Sequence, residues 1–84
     1  MADKVEIGKV RHYFSKASVA VVDLSNELNV GDTISIEGLN TNVQQKVISM
    51  QIEHQAIQNA KKGQSIGLKV NDRAHEGSTV YKMI

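Results

Sequence analysis

The stretch Val30-Gly31-Asp32-Thr33-Ile34-Ser35-Ile36-Glu37-Gly38 limits the fold more than any other: it reads as a turn, a short alternating strand and a second turn. Its grammar is a glycine, a polar residue, a hydroxyl residue and then a β-branched apolar one. The same order returns at Gly63-Gln64-Ser65-Ile66 and Gly77-Ser78-Thr79-Val80. Glycine reaches backbone conformations that other residues resist, and the β-branched residue then enters a pleated, half-buried surface. Three such launches within 84 residues predict a small all-β domain.

A chain of 84 residues holds one domain, residues 1–84, near the small end of what folds on a single core. With no cysteine there is no disulfide framework, thiolate nucleophile or cysteine-type zinc site. His12, His54 and His75 form no local ligand pair, so a metal site would need the fold to gather them. No apolar leader follows Met1-Ala2-Asp3-Lys4 and no apolar run approaches a membrane span, so a soluble cytoplasmic protein is expected. Ten Lys and Arg against nine Asp and Glu give a formal charge of +1, so a polyanion-binding surface would have to come from segregated charge. Tyr13, Phe14 and Tyr81 are too few for an extended stacking platform.

The first strand runs from Lys4 to Phe14, and its alternation changes phase. Val5 and Ile7 share one face and Val10 falls on the other, with Gly8 where a β-bulge shifts the register by one. Beyond the bulge, Val10, His12 and Phe14 point one way and Lys9, Arg11 and Tyr13 the other. Ser18 to Leu24 is a continuous apolar strand suited to a central position. Ile34 and Ile36 face inward in the third strand, and Gly38 to Asn42 is a loop. Val43 to Ile52 reads as one long strand with Ile48, Met50 and Ile52 on one face. Ile52, Ala56 and Ala60 are spaced four apart, so Glu53 to Lys62 could hold a helix of two or three turns. The segment has no good cap at its start, however, and an irregular or extended crossing with about one helical turn is favoured. Ile66, Leu68 and Val70 face inward in the fifth strand, and Asn71 to Gly77 is a polar loop. Thr79 to Ile84 is the sixth strand, where Lys82 falls inward with Val80 and snorkels its amine to water. Six short strands favour a small closed antiparallel barrel, because closure removes exposed edges.

Gly8-Lys9-Val10, Leu28 to Gly38, Val47 to Ile52, Ala60 to Leu68 and Glu76 to Val80, taken in order, resemble the second domain of translational GTPases such as elongation factor Tu. The resemblance covers nearly the whole chain and implies a six-stranded Greek-key barrel that contacts tRNA or ribosomal RNA. It departs from that family at Ser15-Lys16-Ala17-Ser18, where glycines are usual, and in lacking any phosphate loop, so no nucleotide is expected. The chain is similar also to the C-terminal barrel module of collagenase-like peptidase family proteins.

The residues put forward for nucleic-acid binding are Lys9, Arg11, Tyr13 and Lys16, with Lys46 extending the patch and Lys61-Lys62 beyond it. Cations around one ring would neutralise phosphates while the ring stacks on a base or sugar. The same residues also suit a plain solvated strand face. Ser15, Ser18 and Ser25 have no histidine and acidic partner in a recognisable elbow, and no catalytic role is expected. The expected function is a non-catalytic, elongation factor-like module associating with tRNA or the ribosome. The alternative is a protein-docking module for a separate enzyme or GTPase subunit. Neither reading calls for a cofactor, a metal or a membrane.

Overall fold

The computed structural model describes residues 3–38 and 41–83, and of Thr41 only the backbone. The described residues form ten strands and no helix: β1 (Lys4–Phe14), β2 (Val19–Leu24), β3 (Leu28–Asn29), β4 (Thr33–Gly38), β5 (Thr41–Lys46), β6 (Met50–Ile52), β7 (Gln55–Ile57), β8 (Asn59–Ala60), β9 (Ser65–Lys69) and β10 (Thr79–Met83). Eight of them make one antiparallel sheet in the order β5-β4-β10-β1-β2-β9-β6-β7, and β3 pairs with β8 in a second. Gly31, Gly63 and Gly77, which launch the three repeated turns, have φ of 99°, 92° and 87°, the left-handed region that glycine tolerates best.

The long first strand lies beside the last one, as β1 pairs with β10. The closed barrel does not: β5 and β7 end the order, and no ladder joins them. The reason lies in the segment expected as one strand from Val43 to Ile52. Val43, Gln45 and Val47 are buried, Ile48 is 59% exposed, and Met50 is buried again, so the inward phase jumps by three between Val47 and Met50. The chain breaks there. Its first part, β5, pairs with β4, and its second part, β6, pairs with β9. An unbroken strand would have paired with both and sealed the cylinder. Two antiparallel edges result instead.

Glu53 to Lys62 contains no helix. Glu53 and His54 form the two-residue tip of the β6–β7 hairpin, both with positive φ (51° and 66°), followed by extended β7 and β8. The expected loop Gly38 to Asn42 spans positions 39 and 40, which lie outside the described residues, as do Met1, Ala2 and Ile84; β5 already begins at Thr41.

The core forms where the curled sheet faces itself. Ile7, Val22, Leu28, Ile34, Ile36, Leu68 and Val80 are fully buried, together with Val10, Met50, Ile66 and Val70. Burying each such side chain contributes on the order of 2 kcal/mol. In β1 the register shifts twice, between Glu6 and Gly8 and again between Val10 and His12. The first shift passes close under β2: a Cβ on Gly8 would lie 2.5 Å from the Asp23 carbonyl oxygen, so only glycine fits. The second shift was not anticipated, and it changes which way the end of the strand faces. Tyr13, opposite buried Ala20, turns to the core, whereas Phe14 is 51% exposed and His12 is exposed. Lys82 is half-buried with its Nζ 3.5 Å from the Glu27 carbonyl oxygen, so the amine does reach out of the interior.

Candidate functional site

The five residues expected at a nucleic-acid surface do not assemble as the alternation suggested. Lys9 is exposed opposite Asp23, and the Arg11 guanidinium lies 3.7 Å from the carboxylate of the same Asp23. Tyr13, which was to sit between these cations, packs against the core. Lys16 is exposed in the β1–β2 turn. Lys46 is exposed on edge strand β5, separated from β1 by β4 and β10. Asp23 also accepts a short hydrogen bond from the Ser65 hydroxyl, so this serine is paired to a carboxylate and not to a histidine. Among the described residues, no group of three His, Cys, Asp or Glu side chains lies close enough to hold a metal ion.

A second cluster lies on the outer face of β4, β10 and β1. Glu37 Oε2 accepts from Lys4 Nζ at 2.6 Å and from the Ser35 hydroxyl at 2.8 Å, and Lys4 Nζ stands 4.5 Å from the centre of the Tyr81 ring. The Lys4 and Ser35 hydrogen bonds hold the Glu37 carboxyl below its ordinary value. Every partner in this cluster is accounted for within the chain, so it reads as a cross-strand brace.

The open chemistry lies on the outer face of β2, β9 and β6. Strand register puts one row of residues across the sheet: His12 opposite Val21, Val21 opposite Gly67, Gly67 opposite Gln51 and Gln51 opposite Ala56. Cross-strand neighbours share a face, so this row is a continuous strip of surface. Gly67 contributes no side chain to it. A Cβ there would meet Val19 Cγ1 and Gln51 Cγ at 3.2 Å, and its absence leaves a groove walled by those two side chains. On either side of the Gly67–Gln51 pair the groove opens into a hollow of about 230 Å³. The first reaches towards Lys69, Ser49 and Ala17, the second towards Ser65, Phe14 and the Glu53–His54 tip.

The floor is apolar and half-open, because Val19 and Val21 keep part of their surface exposed beside the glycine. Gln51 is half-buried in it, and its side-chain amide makes no hydrogen bond among the described residues. At one end Phe14 is held edge-on to the His12 ring, with centroids 4.5 Å apart at 72°, and His12 Nδ1 is 2.8 Å from Glu76 Oε2. Sequence reasoning missed this groove. Its signal was present in a two-faced apolar strand, Val19-Ala20-Val21-Val22, and in Gly67, which alternates with inward Ile66 and Leu68 and so belongs to the outward face.

No protein-family model matches the chain. Its sequence is similar to that of a protein named as an uncharacterised protease from Methanocaldococcus jannaschii, 44% identical over 79 residues that are 93% of this chain and 19% of the relative. It is similar also to a collagenase from Porphyromonas gingivalis, 37% identical over 81 residues that are 94% of this chain and 20% of the relative. The chain spans about a fifth of the length of these curated relatives. Its fold is that of the C-terminal domain of a Geobacillus thermoleovorans protein described as a U32 peptidase, with a TM-score of 0.87, 21% identity, and coverage of 94% of this chain and 92% of that one. A second crystal structure of that domain, a selenomethionine variant, gives a TM-score of 0.85 at 20% identity, over 90% of this chain and 96% of that one.

These findings overturn the translation-factor reading. The relatives bear protease and collagenase names, and the matching fold is an open antiparallel one from a U32 peptidase, so the elongation factor resemblance fails, and with it the expected tRNA or ribosome association and the docking to a GTPase subunit. The resemblance to the C-terminal module of collagenase-like peptidase family proteins is the one with which the relatives agree. The expectation of a chain without catalysis now stands beside relatives named for enzymes, of which this chain matches only a small part. No helix among the described residues is long and apolar enough to cross a membrane.

Proposed function

We propose that this chain is the counterpart of the C-terminal domain of U32 peptidase-type proteins, and that it binds polypeptide on behalf of catalytic machinery carried by another part of such proteins. The observation that carries the reading is the outer-face groove over Gly67, with an apolar floor and one side-chain amide, Gln51, that has no partner among the described residues. A polypeptide chain offers what such a surface lacks: apolar side chains for the floor and backbone N–H and C=O groups for the amide. Similarity over nearly all of this chain to one-fifth of proteins named as a protease and collagenases supports the assignment to an accessory part.

Val19, Val21, Gln51 and Gly67, which form the floor of the groove, carry no charge, so binding is driven by apolar contact and hydrogen bonds and resists salt. Passage of the purified chain over immobilised gelatin and over an immobilised unfolded protein tests this directly. Retention that survives high ionic strength is the expected result. Free passage over both, or retention lost on raising the salt, contradicts it.

A further inference from the structure

We propose that the groove over Gly67 takes a polypeptide in extended conformation lying along β9, with alternate small apolar side chains seated in the two hollows and its backbone hydrogen-bonded to the Gln51 amide between them. The inference rests on the polypeptide-binding reading and supplies its site and pose.

The geometry sets the spacing. One hollow is bounded by Lys69 and the other by Ser65, while Val19, Gln51 and Gly67 line both. Ser65 and Lys69 are the first and last residues of β9. A strand rises about 3.3 Å per residue, so the ends of β9 are about 13 Å apart and the two hollows are about half that distance from each other. That matches the separation of residues i and i+2 on an extended chain, whose side chains point the same way. Residue i+1 then points to solvent, and the peptide units on either side of it lie over Gln51, whose amide offers both a donor and an acceptor.

Charge selects this occupant over a nucleic acid. The two hollows carry opposite charges at their ends, Lys69 at one and Glu53 at the other, so a phosphate chain running through both would be repelled at Glu53. A polypeptide has no such conflict, since it carries no charge on its backbone. The Glu53–His54 tip reinforces the point. Both residues occupy left-handed conformations where asparagine and glycine are the usual choice, so the hairpin places two long polar side chains at the mouth of the groove.

The test uses the whole chain and two short capped peptides of one composition, one with valines at alternate positions and one with the same valines adjacent. Binding is read by isothermal titration. The alternating peptide is expected to bind about tenfold or more tightly than its isomer, and Gly67→Val and Gln51→Leu each to weaken it by a similar factor. Gly67→Val fills the groove. Gln51→Leu keeps the bulk at a half-exposed position and removes only the amide, so it reports even where the valine variant folds poorly. Equal binding of both isomers, or binding unchanged in both variants, overturns the pose. Gelatin retention by both variants at the level of the parent chain moves the site elsewhere and leaves the polypeptide-binding reading standing. No retention by the parent chain overturns that reading and the pose with it. A concentration-dependent dimer that Gly67→Val dissociates would give the groove to a second copy and likewise overturn the proposal.

Discussion

Gln45 joins the backbone on either side of Val70 to a strand with which it shares no ladder. Its Nε2 donates to the Lys69 carbonyl oxygen at 3.1 Å and its Oε1 accepts from the Asn71 N–H at 2.6 Å, with the residue only 7% exposed. It occupies the place where an unbroken fifth strand would have closed the sheet, and one amide substitutes there for a row of backbone bonds.

Replacing Gln45 by Ala leaves the part-buried Lys69 C=O and Asn71 N–H without this partner, and the expected loss is about 1–3 kcal/mol. Urea unfolding monitored by circular dichroism measures it. Hydrogen exchange at the Asn71 amide should accelerate in parallel. A loss below about 1 kcal/mol would show that the two edges hold together without this bridge.

Leu68 is fully buried at the centre of the sheet, and Leu68→Ala should cost about 2–5 kcal/mol through lost contact and the cavity left behind. Ile48, exposed at the strand break, provides the contrast: Ile48→Ala should change stability by no more than about 0.5 kcal/mol. Comparable losses at both sites in the same urea experiment would mean that the inward phase has been misplaced at the break.

Legibility followed the glycines and the strict alternations. Ile34 and Ile36, and Ile66, Leu68 and Val70, lie inward as their period of two requires, and the phase change at Gly8 is a real register shift. What failed were features with no local signature. The second shift in β1, between Val10 and His12, turned Tyr13 inward and Phe14 outward, and nothing in Val10-Arg11-His12-Tyr13 announces it. The break after Val47 was hidden because Val47, Ile48 and Met50 are all apolar, so two phases fit equally well. The groove depends on five strands being brought side by side, a long-range fact. Only the apolar run Val19-Ala20-Val21-Val22 and Gly67 mark it in the sequence; such a run equally suits a strand covered on both faces, and a glycine in a strand is as often a bulge.

Glu37 makes stability depend on pH. Its carboxyl is held below the ordinary value by the Lys4 and Ser35 hydrogen bonds, so the folded chain binds its proton less readily than the unfolded chain does. The contribution is therefore full above the ordinary carboxylate range and disappears as pH falls through the depressed value in the folded state. Unfolding midpoints of the parent chain and of Glu37→Gln should differ near neutral pH and converge in acid. A difference that is constant with pH would assign the effect of the substitution to something other than ionisation.

The left-handed Glu53–His54 tip carries a conformational cost that asparagine and glycine would avoid. Replacing the pair by Asn-Gly should raise stability by about 1–2 kcal/mol, measured by the thermal or urea midpoint. An unchanged midpoint would mean that the surrounding hairpin already compensates the strain.

The central claim is that the outer face of β2, β9 and β6 receives polypeptide. Amide chemical-shift mapping of the isotope-labelled chain during titration with gelatin tests it most directly. The account predicts shifts concentrated at Val19, Val21, Gln51, Gly67 and the Glu53–His54 tip, with Lys9, Arg11, Lys16 and Lys46 undisturbed. Shifts centred on those four cations, or none anywhere at saturating gelatin, would contradict it.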